Sequence, residues 1–251
     1  MHVPKSSLRS VWDGLSTLIE ALSVPVILTI GSIRLLMTSA YLTLEYHKPD
    51  FPPDPFGLTL TDRLHYAPFA VHYLTSGAPT SALGDLTFPN GTPFYTPHEL
   101  AHMVDVQHVT QAAFLVGLLC ALALIVIGVI TWRTIDGRRR LRLSLRWGAT
   151  FTLGLIGIVA FGVFFAWDTF FTGFHELFFS SGSWTFEYSD SLIRLFPVQF
   201  WQDAAITIGG AAALGSALIL LGTIWWGRRA VKYVPGEVAI PASADKAIRQ
   251  W

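Results

Sequence analysis

The sequence predicts an all-α membrane bundle, in which four transmembrane helices carry a small mixed extracytoplasmic cap built from two outer loops. Three observations lead there. Of 251 residues, 52% are hydrophobic and only 14% charged, whereas a soluble domain needs about 25% charged residues to cover its surface. Four apolar stretches are each long enough, at about 20 residues, to cross ~30 Å of hydrocarbon. Lys and Arg are crowded into alternate connections between those stretches, the pattern that marks the cytoplasmic side. The 17 Lys and Arg are matched by 17 Asp and Glu, which leaves no basic field for nucleic acid. An aromatic content of 14% excludes a disordered chain. The single Cys120 excludes a disulfide framework and a Cys-ligated zinc site.

The elements follow in order. Residues 1–13 are expected as a cytoplasmic N-terminus, with Lys5 and Arg9. The first span covers 14–41. Its apolar part is too long for a signal peptide and contains Arg34, and no small-residue cleavage site follows, so it reads as a retained helix. An arginine inside a span pairs with a carboxylate, binds an anionic headgroup, or snorkels to the interface. The first outer loop covers 42–107. Its Pro49–Pro55 stretch excludes regular helix. Thr61 to Leu74 reads as a short helix that starts at the capping residues Thr59 and Asp62. Thr96 to Val109 reads as a helix entering the second span, with Pro97 in its first turn.

The second span covers 108–132, and a basic cytoplasmic loop follows at 133–146 with Arg133, Arg138, Arg139, Arg140, Arg142 and Arg146. The third span is 147–167 and the second outer loop 168–203. Within that loop Ser183 to Tyr188 alternates in a strand-like way, and Phe200-Trp201 sits where an aromatic belt marks the interface. The fourth span is 204–226, where Ala211 and Gly215 form a small-xxx-small pair for close helix packing. The tail 227–251 carries Arg228, Arg229, Lys232, Lys246 and Arg249 and is expected in the cytoplasm.

The polar chemistry gathers outside. Seven of the eight His lie in or beside the two outer loops. His98-Glu99-Leu100-Ala101-His102 spells H-E-x-x-H, which on a helix places two imidazoles as zinc ligands and Glu99 as general base. A third ligand would have to come from Asp105 or His175, and neither stands at a recognised spacing. In a second reading Glu99, His102 and Asp105 share one helix face, so that a carboxylate orients His102 as a general base. His175-Glu176 follows the third span at interface depth. Two histidines meeting there would suit proton transfer to and from a lipid ester, and the alternative is that each is merely solvated. Arg63 and Arg194 either clamp a carbonyl or phosphate, or pair locally with Asp62 and Asp190.

Glu99-Leu100-Ala101-His102-Met103-Val104-Asp105-Val106 resembles the E-L-x-H-M-x-D-V signature of the bacterial lipoprotein intramolecular transacylase family, Lit. The second outer loop does so at greater length. Phe174-His175-Glu176, Phe179, Trp184-Thr185-Phe186, and Asp190-Ser191-Leu192-Ile193-Arg194-Leu195-Phe196-Pro197 with Phe200-Trp201-Gln202-Asp203 are similar to the family's F-H-E … W-x-F … D-x-L-I-R-L-F-P-x-x-F-W-x-D-A pattern. The resemblance runs from Leu18 to Gly227. The chain differs at His98, where the family pattern has Arg, and at Gln107, where it has Lys.

The resemblance implies a bacterial cell-membrane acyltransferase with both termini cytoplasmic and its site on the extracytoplasmic side. It would move the sn-2 acyl chain of a lipoprotein's diacylglyceryl-Cys to that residue's α-amino group, giving a lyso-form lipoprotein. Ester to amide is downhill, so no cofactor is expected, and no metal ligand is assigned. The partners expected are a diacylglyceryl-modified lipoprotein and membrane lipids. His102 and His175 carry over as the acid/base pair. Glu99, Asp105 and Glu176 are expected to support or orient them, and Arg34, Arg63, Trp184 and Arg194 to contact substrate. Two alternatives stay open: a membrane zinc hydrolase built on His98, Glu99 and His102, and a non-catalytic membrane scaffold.

Overall fold

The computed structural model describes residues 5–231, with side chains from Ser10 to Arg228. The expected topology signals Lys232, Lys246 and Arg249 lie outside the described residues, as do the side chains of Lys5, Arg9 and Arg229. Four long helices form the bundle: α1 (Lys5–Leu36), α5 (Pro97–Trp132), α6 (Ile135–Phe165) and α9 (Val198–Val231). Each contains a window long and apolar enough to span a membrane. Five shorter helices complete the described residues: α2 (Ser39–Tyr46), α3 (Leu60–Ser76), α4 (Ser81–Gly84), α7 (Trp167–Phe178) and α8 (Ser191–Leu195).

Helix α1 runs through the middle of the bundle and packs on α5, α6 and α9. Glycine sets these crossings. A Cβ on Gly148 of α6 would lie 2.5 Å from the Ala21 carbonyl of α1, and one on Gly215 of α9 would lie 2.6 Å from Leu28. Gly215 therefore serves the close packing that its small-xxx-small spacing implied. At the end of the bundle where α5 turns into α6, polar side chains join the helices. Thr131 Oγ1 donates to Glu20 Oε1 at 3.2 Å, Arg140 pairs with Asp13, and Arg146 Nε donates to Thr223 Oγ1 at 3.1 Å.

The stretch 133–146, expected as a basic loop, is thus almost wholly helical. Thr134 caps α6 by accepting from the Gly137 amide at 3.0 Å, and Asp136 sits in the first turn, where a carboxylate suits the helix dipole. The first span also ends earlier than Tyr41. Helix α1 ends at Leu36, and Thr38 caps α2 by accepting from Tyr41 N at 3.2 Å.

The other end carries the cap, built from α2, α3, α4, α8 and the first turns of α5 and α9. It has its own aromatic core, in which Tyr66 stacks on Phe94 with centroids 3.9 Å apart. Tyr46 OH donates to the Leu195 carbonyl at 3.0 Å. Phe200, expected in an interfacial belt, is instead a buried member of this core, edge-on to Tyr41 at 6.0 Å. The expected strand at Ser183–Tyr188 is absent. Turns run over 181–184, Gly182 takes φ 82, and no neighbouring strand offers a partner. The only strand-like pairing among the described residues is the isolated Thr87–Pro93 bridge, so the cap is helical rather than mixed.

Candidate active site

The site begins at the start of α5. Thr96 Oγ1 accepts from Glu99 N at 3.2 Å, and Glu99 Oε2 accepts from Thr96 N at 2.7 Å. With Pro97 at the first turn, this capping box fixes where the helix starts and hence which way His102 points. Glu99 Oε1 accepts a second amide, Leu192 N, at 2.7 Å, and Ser191 Oγ donates to the Phe94 carbonyl. The carboxylate is fully buried and ties α5 to α8, so it does not orient His102. Glu99→Ala leaves the buried Leu192 amide without an acceptor and uncaps the Thr96 amide, and about 1–3 kcal/mol of stability should be lost for the buried amide. A thermal unfolding midpoint equal to wild type in detergent would contradict that role.

His102 is 8% exposed and sits among rings, 4.9 Å from Phe179 and 5.3 Å from Phe186, both edge-on. Across from it stands His175 of α7, with ring centroids 6.4 Å apart and planes 23° from parallel. His175 Nδ1 lies 2.8 Å from the Phe171 carbonyl. A carbonyl oxygen only accepts, so Nδ1 carries the hydrogen and the neutral ring keeps its lone pair on Nε2. The rings of Phe171 at 4.1 Å and Trp184 at 4.9 Å enclose it. Burial pulls the His175 imidazole below the usual histidine range, against the Phe171 carbonyl, which favours the charged form.

Helix α7 that delivers His175 was not foreseen. It starts where α6 stops at Ala166, and the Phe171–His175 bond joins residues i and i+4 on its last turns, a spacing that only the helix makes visible. Of the enclosing residues, Phe179 and Phe186 belong to the family pattern without an expected role in the site, and nothing in the sequence singles out Phe171.

The other expected site residues divide. Asp105 is exposed, and His102 Nδ1 has no hydrogen-bond partner, so no carboxylate orients that nitrogen. Glu176 is exposed on α7. Arg63 is spent inside the cap: Nη1 donates to Pro52 O at 2.8 Å, Nε to Arg194 O at 3.2 Å, and the guanidinium lies over Phe51 at 4.9 Å. Arg194 pairs with Asp54 at 3.1 Å rather than with Asp190. Both are braces of the cap and are not free to clamp substrate. Arg34 is exposed beside a groove of about 320 Å³ between α1 and α5, lined by Ile27, Ile30, Phe114 and Gly117, and its Nη1 donates to Met37 O at 3.3 Å, where α1 ends.

The H-E-x-x-H spelling does not assemble as a ligand set. His98 is exposed with Nε2 3.2 Å from the Gly182 carbonyl, and Glu99 is committed to two amides. Among the described residues no three His, Cys, Asp or Glu converge on a point. Gln107, where a lysine was expected, donates from Nε2 to Tyr73 O in the last turn of α3 at 2.8 Å and to Ala78 O just beyond it at 3.0 Å.

The model of the family described as lipoprotein intramolecular transacylase Lit matches residues 18–201. A protein of Aquifex aeolicus (strain VF5) is 28% identical over 190 residues, which is 75% of this chain and 84% of that one. The membrane integral lipoprotein intramolecular transacylase Lit from Bacillus cereus superposes with a TM-score of 0.74 at 20% identity, over 89% of this chain and 99% of that one. A variant of the Bacillus cereus protein with a histidine replaced by alanine gives a TM-score of 0.66 at 18% identity, over 91% and 100%. At such identities the structures speak for the fold, while the family match from Leu18 to Trp201 takes in the whole cap, α7 and both facing histidines. The chain belongs to the lipoprotein intramolecular transacylase family, a family of membrane-integral acyltransferases.

Proposed function

We propose that the protein moves the sn-2 acyl chain of a diacylglyceryl-modified lipoprotein to the α-amino group of that lipoprotein's N-terminal Cys, with His102 and His175 as acid and base. The observation that carries this reading is the pair of facing imidazoles inside an aromatic enclosure at the junction of cap and bundle. The chemistry needs two proton transfers and a donor for the oxyanion formed between them. The neutral amine attacks the ester carbonyl carbon, forming the C–N bond, and one imidazole takes the ammonium proton. The ester C–O bond then breaks, and the leaving glyceryl oxygen receives a proton from an imidazolium. Amine and ester belong to one molecule, so holding them folded together supplies up to ~7–11 kcal/mol of barrier lowering.

The Nδ1–H···O=C bond to Phe171 presents the His175 Nε2 lone pair as the base. His102 faces it, takes the proton over from the His175 imidazolium and would pass it to the leaving oxygen, which returns both rings to the neutral state. Arg34, beside its apolar groove, fits an anionic headgroup or the glyceryl ester with an acyl chain alongside. The asymmetry of Lys and Arg supports cytoplasmic termini and a site facing the outer leaflet.

Incubating the purified protein with a diacylglyceryl lipopeptide, and locating the acyl groups by fragmentation mass spectrometry, tests the reading. One acyl group on the N-terminal amine at unchanged total mass, with or without EDTA, is expected. Loss of an acyl group to water, abolished by EDTA, would instead favour hydrolysis by a metal site.

The pH dependence has a definite sign. A group held below its ordinary value stays unprotonated as pH falls until that lower value is reached, so the His175 base form is intact at pH 7 and is lost only below about 6.5. The substrate α-amine, with a pKa of about 8, gains its proton first. Initial rates should therefore rise with pH up to about 8, with a second loss only below about 6.5. An acid limb unmoved when the substrate amine is made less basic would contradict this order.

A further inference from the structure

The transfer requires a hydrogen-bond donor for the oxyanion that forms when the amine adds to the ester carbonyl. Resting on the function proposed above, we propose that the Trp184 indole N–H is that donor, which makes Trp184 a catalytic residue. The indole lies against His175, with centroids 4.9 Å apart, and is T-shaped to Phe171, with centroids 6.4 Å apart. Trp184 Nε1 is buried and has no hydrogen-bond partner, and the same is true of His102 Nδ1 across the enclosure. Buried polar atoms in a folded protein nearly always find a partner. An unpaired indole N–H beside one imidazole, with an unpaired ring nitrogen on the facing one, is a pair of open valences where the reacting carbonyl belongs.

The other donors near the pair are engaged or turned away. His98 Nε2 lies on the Gly182 carbonyl. The guanidinium groups of Arg63 and Arg194 are bound to cap carbonyls and to Asp54. Tyr95 OH is also unpartnered, but its ring is a member of the cap core, edge-on to Phe94. An indole N–H is a donor only, so it neither competes for the amine proton nor acts as a nucleophile. Its bond strengthens as the carbonyl oxygen gains charge, which is what selective stabilisation of the addition step demands. The electron pair moved onto that oxygen returns when the C–O bond breaks, and Trp184 keeps its proton throughout.

Trp184→Phe keeps an aromatic ring and removes the N–H. In the lipopeptide assay its kcat is expected to fall by about 10²–10³-fold, with KM changed by no more than about threefold. Because phenylalanine is smaller, a second variant replaces the indole at position 184 alone with benzothiophene, which preserves the bicyclic shape and puts sulfur in place of N–H. The same loss of kcat in both is the expected result. Packing alone would lower the unfolding midpoint of the phenylalanine variant and leave the benzothiophene variant fully active, and that outcome overturns the proposal. A wild-type protein that moves no acyl group would overturn the proposed function along with it, whereas active wild type with equally active variants overturns the donor alone.

Discussion

His102→Ala and His175→Ala proteins are each expected to lose about 10²–10⁴-fold in acyl transfer, the range that a positioned acid or base contributes. The two losses should not multiply. One histidine takes a proton and the other gives one within a single addition and elimination, so removing either should cost nearly as much as removing both. His175 adds a finer test, because its tautomer is set by the Phe171 carbonyl at 2.8 Å. Gln in its place can accept from an amine but cannot cycle a proton, and His175→Gln should be as inactive as His175→Ala. His102 is 8% exposed and surrounded by Phe179, Phe186 and His175, so its alanine variant loses packing as well. Unfolding midpoints measured alongside the rates separate the two effects. Activity within threefold of wild type in both variants would refute the pair.

Asp54→Ala should produce the largest loss of stability. Asp54 is 1% exposed at its side chain and Arg194 is 10% exposed, with 3.1 Å between Oδ2 and Nη2. The same oxygen accepts from Leu58 N at 2.6 Å. Removing it takes the carboxylate from the guanidinium, which keeps only the Phe56 carbonyl, and leaves the Leu58 amide without its acceptor; losing one partner of a buried pair costs about 3–5 kcal/mol. The Pro-rich segment would come away from the loop that carries α8, and Arg63 would lose its second anchor at Arg194 O. The expectation is a cap that unfolds before the bundle in detergent, visible as early proteolysis between α2 and α3. A variant with wild-type melting and wild-type protease resistance would contradict the brace.

Much of this architecture can be read from residue order because its causes are local. Four spans follow from apolar length. The starts of α3 and α5 follow from Thr59 with Asp62 and Thr96 with Glu99, and both capping boxes are present. Glu99 carries a further lesson. It stands three residues after Thr96, the spacing of a capping partner, and that signal explains its position better than a role beside His102. Helix α7 is harder to foresee, since Trp167 to Phe178 continues the apolar character of α6 and the break at Ala166 has neither proline nor glycine at it. Arg63 is bound by the Pro52 and Arg194 carbonyls, and Arg194 by Asp54 and the Phe56 carbonyl, contacts that join segments far apart in the chain. No spacing rule announces such contacts, so their bracing role emerges only from the fold. His102 and His175 are separated in sequence in the same way; their common depth at the interface suggested that they could meet, and the resemblance of their flanking residues made them an acid/base pair.

In the proposed reaction one acyl group moves within one molecule, under two histidines, and a crossover experiment separates this from transfer between molecules. Two lipopeptides are mixed, one with a deuterated sn-2 chain and one with an isotopically heavy peptide, and the products are read by mass spectrometry. Every N-acylated product should keep the chain that its own peptide brought, at unchanged mass. Products in which deuterated chains appear on heavy peptides would show an acyl group leaving its molecule, and would contradict the account.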